Sequence, residues 1–221
     1  MLQVGTILHG TYKIESYLSS GGFGNTYLAK NIEFDETYAI KEFFVKGVCQ
    51  RDGNSTTISV SNAENTNSFE QQREKFKKEA RRLRSLSNPH IVKVYDLFEE
   101  NGTAYYVMDY VDGENLSARL KRTNAPLAES EVRNYLNQIL DGLEAIHNEG
   151  MFHLDIKPAN IMVDSHDVVK LIDFGASKHQ STVGGATIST GISYTNGYAP
   201  SEQMAQSYDK FGPWTDFYAL G

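Results

Sequence analysis

The sequence predicts an α+β fold in two parts: an antiparallel sheet carrying one helix, then a mainly helical region. Three observations carry this expectation. Short β-rich runs at Tyr12 to Leu18, Thr26 to Lys30 and Tyr38 to Phe44 are parted by turns containing Gly, Asn or Asp. Beyond Tyr110 the apolar spacing lengthens from every second residue to about 3.6 residues. Glu129 to Glu149 then places Val132, Leu136, Ile139, Leu140, Leu143 and Ile146 on one helical stripe, with Gly150 as its C-cap. The expected division is 1–110 and 111–221, hinged near Asp109 to Gly113, with no internal repeats.

Between the early strands and the helical region lie three further elements. Lys46 to Ser68 is crowded with Asn, Ser, Thr and Gly, and reads as an insertion loop in which Thr56 to Val60 forms one strand of a small hairpin. Ser68 and Gln71 fit a capping box, so a helix is expected from Ser68, with Phe76, Ala80 and Leu83 on its apolar face. Glu79 shares that face, and an acidic group there needs a cationic partner. Asn88-Pro89 ends this helix, and strands follow at Ile91 to Phe98 and Ala104 to Tyr110.

Composition narrows the function classes. The 221 residues are 40% hydrophobic and can bury a sizeable core. A formal charge of −7 argues against a general nucleic-acid binder and against a polybasic membrane-surface protein. A single cysteine, Cys49, rules out an intrachain disulfide framework and suits a reducing compartment. Met1 to Gly5 shows no basic segment leading into an apolar run, and no apolar stretch reaches the roughly 18 residues of a membrane span. A cytoplasmic protein is expected.

The chemistry lies in four stretches. Leu18, Ser19, Ser20, Gly21, Gly22, Phe23, Gly24, Asn25 and Thr26 form a glycine-rich turn joining two strands; missing Cβ atoms let backbone N–H groups approach phosphate oxygens. Lys41 follows on a strand, on the same face as Ala39, and with Glu79 would satisfy the charge of both. His153-Leu154-Asp155-Ile156-Lys157-Pro158-Ala159-Asn160 and Asp173-Phe174-Gly175 supply two carboxylates, a lysine and an asparagine. At those offsets they can set a proton acceptor, a charge clamp and two metal ligands around one phosphoryl group.

These motifs, in this order and spacing across nearly the whole chain, resemble the protein kinase superfamily, and their particular forms resemble bacterial eukaryotic-type serine/threonine kinases. The resemblance implies a two-lobed kinase-like fold: an N-lobe of antiparallel sheet and one helix, and a mainly helical C-lobe. It implies ATP and Mg²⁺ as cofactors, and protein serine or threonine hydroxyls as acceptors.

Residue by residue, the resemblance makes Asp155 the group that orients the attacking hydroxyl and Lys157 the clamp on the transferred γ-phosphoryl group. Thr195 becomes the hydroxyl that hydrogen-bonds both, and Asn160 and Asp173 the Mg²⁺ ligands. Lys41, paired with Glu79, bridges the α- and β-phosphates. Met108 becomes the gatekeeper, and Asp109 and Val111 offer backbone groups to the base. Ala39 and Met162 sandwich the ring, and Asn115 lines the nucleotide site. His153 backs the Phe174 ring, His147 packs near a helix end, Glu202 takes part in a structural ion pair with a later arginine, and Asp216 braces the catalytic loop.

Departures qualify the match. Ser19 stands for the first glycine, Thr26 for a valine, Pro200-Ser201-Glu202 for Ala-Pro-Glu, and Leu154 for the arginine that reads activation-segment phosphate. The match also stops at Gly221, inside the first turns of the central C-lobe helix, as in a truncated catalytic domain. Exposed apolar residues near that end, and self-association through them, are therefore expected. The favoured function is ATP-dependent protein serine/threonine phosphorylation. The rival is a pseudokinase, a nucleotide-binding interaction module with little phosphotransfer.

Overall fold

A computed structural model describes residues 1–21, 24–53, 55–179 and 194–221. They form two compact units, Met1–Ser85 with Lys93–Tyr110, and Leu86–Val92 with Val111–Gly221.

The first unit is built on six strands: β1 (Ile7–Leu8), β2 (Tyr12–Gly21), β3 (Gly24–Asn31), β4 (Thr37–Phe43), and later β7 (Val94–Glu100) and β8 (Thr103–Asp109). All pair antiparallel in the order β1-β2-β3-β4-β8-β7. One face buries Leu2, Leu8, Tyr12, Ile14, Tyr27, Ala29, Ile40, Phe98, Tyr105 and Val107. Burial of each large side chain contributes roughly 1.5–3 kcal/mol. A two-residue Asn101–Gly102 turn closes β7 onto β8, as the twist of paired strands favours.

The other face carries α1 (Thr66–Ser85), whose Phe69, Phe76, Ala80 and Leu83 are buried. Phe43 of β4 meets Phe69 and Phe76 at ring-centroid distances of 5.1 and 5.5 Å. The expected start at Ser68 is corrected. Asn62 caps a preceding 3₁₀ turn by accepting from the Glu64 N–H at 3.2 Å, and Ser68 lies inside the helix, accepting from Gln72 Nε2. An asparagine at a 3₁₀ entry satisfies the same orphan donors that a capping box would.

The insertion carries two short paired strands, β5 (Cys49–Gln50) and β6 (Ser59–Val60). The Ile58 N–H donates to the Asn101 carbonyl at 2.8 Å, tying the insertion to the β7–β8 turn.

In the second unit, Leu86–Val92 joins the helical part: Val92 N–H donates to the Leu171 carbonyl, and Leu171 N–H to that of His90. The strand expected from Ile91 therefore begins only at Val94. Next come β9 (Gly113–Asn115), α2 (Leu116–Thr123), α3 (Glu129–Asn148), β10 (Met151–Phe152), β11 (Ile161–Asp164), β12 (Val169–Leu171), β13 (Lys178–His179), α4 (Ser201–Met204) and α5 (Pro213–Tyr218). β9, β11 and β12 form one small antiparallel sheet, and β10 pairs with β13.

α3 buries Tyr135, Ile139, Gly142, Leu143 and Ile146. Val132 and Leu140, expected on its buried stripe, are exposed. The covered face is narrower than the apolar one, and at Gly142 the helix lies close against His90, whose carbonyl oxygen an added Cβ would meet at 3.2 Å. Gly150 follows α3 at φ +66°, donating to the His147 carbonyl, as a C-terminal glycine should.

Candidate active site

In the second unit the loop between β10 and β11 gathers its polar groups within hydrogen-bond reach. Asp155 is the hub. Its Oδ1 accepts from the Thr195 hydroxyl at 2.9 Å and from Lys157 Nζ at 3.1 Å; Lys157 also lies 2.9 Å from Oδ2. Lys157 donates to Thr195 Oγ1 at 3.0 Å, which closes a three-membered ring of contacts. Thr195 gives its one hydrogen to the carboxylate and offers a lone pair to the ammonium, so every partner is satisfied.

Asn160, 5% exposed, donates from Nδ2 to both the Asp155 carbonyl and Asp155 Oδ2, each at 2.8 Å. This fixes the carboxylate plane and turns the amide oxygen of Asn160 away from Asp155. Asn160 is itself anchored, since its carbonyl accepts from the Ile172 N–H next to Asp173. Asp173 adopts a left-handed backbone, φ +61°. Such strain in a non-glycine residue persists only where the surroundings impose it, and it concentrates at functional sites.

Beneath the loop sits Asp216 of α5, 1% exposed. It accepts from the backbone N–H groups of His153 (2.9 Å) and Leu154 (2.7 Å), and from His147 Nε2 at 2.8 Å. His147 therefore does more than pack: it completes the aspartate's set of donors while its ring meets Phe152 and Phe217. Gln203 Nε2 donates to the Leu154 carbonyl at 2.6 Å, a contact with no signal in the sequence pattern. Leu154, in the arginine position, is 3% exposed and clusters with Phe152 and Phe211, with Ala176 and Tyr208 packed alongside. Glu202, read as half of an ion pair, accepts from the Thr215 hydroxyl at 3.2 Å.

His153 is fully buried and backs Phe174 at a ring-centroid distance of 4.5 Å. Its Nδ1 accepts from the Asp155 N–H, so Nε2 carries the hydrogen and donates to the Ile172 carbonyl at 3.1 Å. Burial pushes its pKa below the ordinary 6.5, and the ring is held neutral.

In the first unit, Lys41 is buried on β4, in register with Thr26 and Tyr106. Its Nζ lies 5.8 Å from the centre of the Tyr106 ring, and the Tyr106 hydroxyl donates to Glu79 Oε1 at 3.4 Å. Lys41 and Glu79 thus converge on one tyrosine, a shared neighbour the sequence did not disclose. Ala39 is buried in register with Met108. Asp109 donates its N–H to the Lys93 carbonyl, so any contact to a base edge would have to come from its carbonyl.

Leu18, Ser19, Ser20 and Gly21 end β2 as exposed residues, while Gly24, Asn25 and Thr26 begin β3. Gly22 and Phe23 lie outside the described residues. In the second unit Val111 follows the unit boundary, and Met162 pairs in register with Asn115. Asn115 caps α2, accepting from the Ala118 N–H at 2.8 Å.

In comparison with known proteins, residues 12–221 match the protein kinase domain. The chain belongs to the protein kinase family. It is 32% identical to serine/threonine-protein kinase PrkC of Bacillus subtilis over 99% of its length, covering 30% of that protein. It is 34% identical to serine/threonine-protein kinase D of Synechocystis over 95% of the chain and 39% of the relative. A mitogen-activated protein kinase kinase kinase 2 of Arabidopsis thaliana is also 34% identical, over 92% of the chain and 29% of that protein. The chain therefore spans about a third of the length of these relatives. A solved structure of PpkA-294 in its apo form matches all of this kinase chain and 75% of its own, with a TM-score of 0.85 at 30% identity.

Proposed function

We propose that this kinase chain transfers the γ-phosphoryl group of ATP to serine or threonine hydroxyls of protein substrates. The observation that carries the reading is the closed cluster of Asp155, Lys157, Thr195 and Asn160, in which each residue is hydrogen-bonded to another within 3.1 Å. A carboxylate so held can accept a hydrogen bond from an incoming hydroxyl and aim its oxygen, and positioning of this kind supplies most of the catalysis in phosphoryl transfer. Lys157, already against Asp155, would balance charge on the transferred group. Thr195 would hold the pair in place, accepting from the lysine and donating to the aspartate. Within the first unit, Ala39, Met108 and Asp109 would offer contacts to the base and Lys41, with Glu79, to the phosphates; within the second, Val111, Asn115 and Met162 would offer contacts to the base.

Two oxygen donors, the Asn160 amide and the Asp173 carboxylate, suit Mg²⁺. This hard cation takes one or two protein ligands and completes its shell with water and phosphate oxygens. When bound, the ion supplies charge neutralisation at the phosphates.

Among the described residues no helix is long and apolar enough to cross a membrane. The buried thiol of Cys49 fits a reducing, cytoplasmic setting. Trp214, Phe217 and Tyr218 are exposed on α5 and offer a surface for self-association.

The test is incubation with γ-labelled ATP and a generic protein acceptor, followed by acid hydrolysis. Labelled phosphoserine and phosphothreonine support the reading; label found only on tyrosine, or on no amino acid, contradicts it.

A further inference from the structure

Glu42, the residue after Lys41, has no exposed surface and lies on the face of β4 opposite Lys41. A carboxylate in such a place is costly unless several donors and a cation surround it. Here the set is complete. Asn25 Nδ2 and the Tyr27 hydroxyl donate to Oε2 at 3.0 Å, and the Tyr105 hydroxyl donates to Oε1 at 2.9 Å. The cation comes from the insertion: Arg51 reaches both carboxylate oxygens and is anchored in turn by donating from Nε to the Thr56 carbonyl at 2.9 Å. Its side chain is 2% exposed. The Glu42 contacts raise the Arg51 pKa although burial alone would lower it, and burial holds Tyr27 protonated up to about 12.

The residues joined in this way are not scattered. Asn25 is the direct cross-strand partner of Glu42, one position past Gly24, where the glycine-rich turn returns to the sheet. A Cβ on Gly24 would sit 2.4 Å from the Glu42 carbonyl oxygen, so a glycine is needed here for strand contact as well as for phosphate approach. Tyr27 also accepts from the Leu2 N–H, which brings the N-terminal segment into the same network.

We infer that Glu42 and Arg51 are positioning residues for the nucleotide: their pair locks the return arm of the glycine-rich turn to the strand bearing Lys41 and makes the 46–68 insertion a working part of that lobe. The inference rests on the nucleotide role proposed above. An arginine fork on a fully buried carboxylate fixes direction as well as charge, which a lysine cannot do.

The test compares the parent chain with Glu42→Gln, Arg51→Lys and the neutral double variant Glu42→Gln/Arg51→Met, reading KM for ATP, kcat, Kd for a fluorescent ATP analogue, and the melting temperature. Phe98→Leu, a core change on the same face, serves as a stability control. The expected result is a rise of about tenfold in KM and Kd for both single variants with kcat within about threefold, and non-additivity in the double variant. The control should lower the melting temperature without moving KM or Kd. Values within about twofold of the parent in folded variants overturn the inference. An equal shift in the control does so too, as does failure of all three variants to fold. A parent that binds the analogue but transfers no phosphate refutes the kinase reading while leaving this inference standing; a parent that binds no nucleotide refutes both.

Discussion

Asn160 holds Asp155 at two points, the backbone carbonyl and the carboxylate, with both bonds 2.8 Å long from a single amide nitrogen. A carboxylate gripped in this way cannot rotate without losing one of them. Asn160→Ala should therefore lower kcat by a hundredfold or more, equivalent to about 2.7 kcal/mol of transition-state stabilisation. Steady-state kinetics at saturating ATP check this, and a kcat within threefold of the parent would remove Asn160 from the site.

Leu154 fills an apolar cluster at the position where the family resemblance implies an arginine. Restoring the arginine should not restore a phosphate switch; it should bury an unpaired charge against Phe152 and Phe211 and destabilise the chain by roughly 3–5 kcal/mol. Denaturant unfolding of Leu154→Arg measures this, and unchanged stability would show that the cluster can open.

With leucine and not arginine at position 154, activation-segment phosphorylation is predicted to be dispensable. Ser177 is described, whereas Ser181, Thr182, Thr187, Ser189, Thr190 and Ser193 lie outside the described residues. Converting all of them to alanine should leave turnover within about tenfold of the parent, and a loss of a hundredfold would sink the idea.

The pH dependence follows from His153. Its folded pKa is depressed below 6.5, so between the two values the unfolded chain binds the extra proton and the folded chain does not. Stability should therefore be full above the ordinary histidine value and fall as pH drops through it. Protonation at Nδ1 would also break the bond from the Asp155 N–H. Melting temperatures recorded between about pH 7.5 and 5.5 should fall for the parent and fall less for His153→Gln. Equal slopes would contradict the assignment.

Much of the site was legible in the sequence because its members are near neighbours in the chain. Asp155, Lys157 and Asn160 sit on one short loop, so their spacing alone limits the geometry they can adopt. Thr195 was reachable only through a family motif, since nothing local links it to a loop so far upstream. Tyr106 escaped because a tyrosine in an apolar strand looks the same whether or not a lysine and a glutamate converge on it.

Arg51 escaped for a related reason. Its partner Glu42 is reached through the β5–β6 turn, and a polar insertion gives no sign of which side chain folds inward. Ser68 and Asn62 present equivalent capping chemistry, and the 3₁₀ turn decided between them. Val132 and Leu140 show the opposite failure: periodicity marks every apolar position on α3, but only packing decides how wide a face is covered.

The most direct measurement is the rate of γ-phosphate transfer by Asp155→Asn beside the parent, with nucleotide binding and melting temperature recorded for both. The substitution keeps the shape of the side chain and removes the acceptor charge on which Lys157 and Thr195 converge. A drop of at least about a hundredfold in transfer, with nucleotide affinity within threefold, is the predicted result. Transfer at the parental rate would contradict the assignment of Asp155, and with it the proposed chemistry.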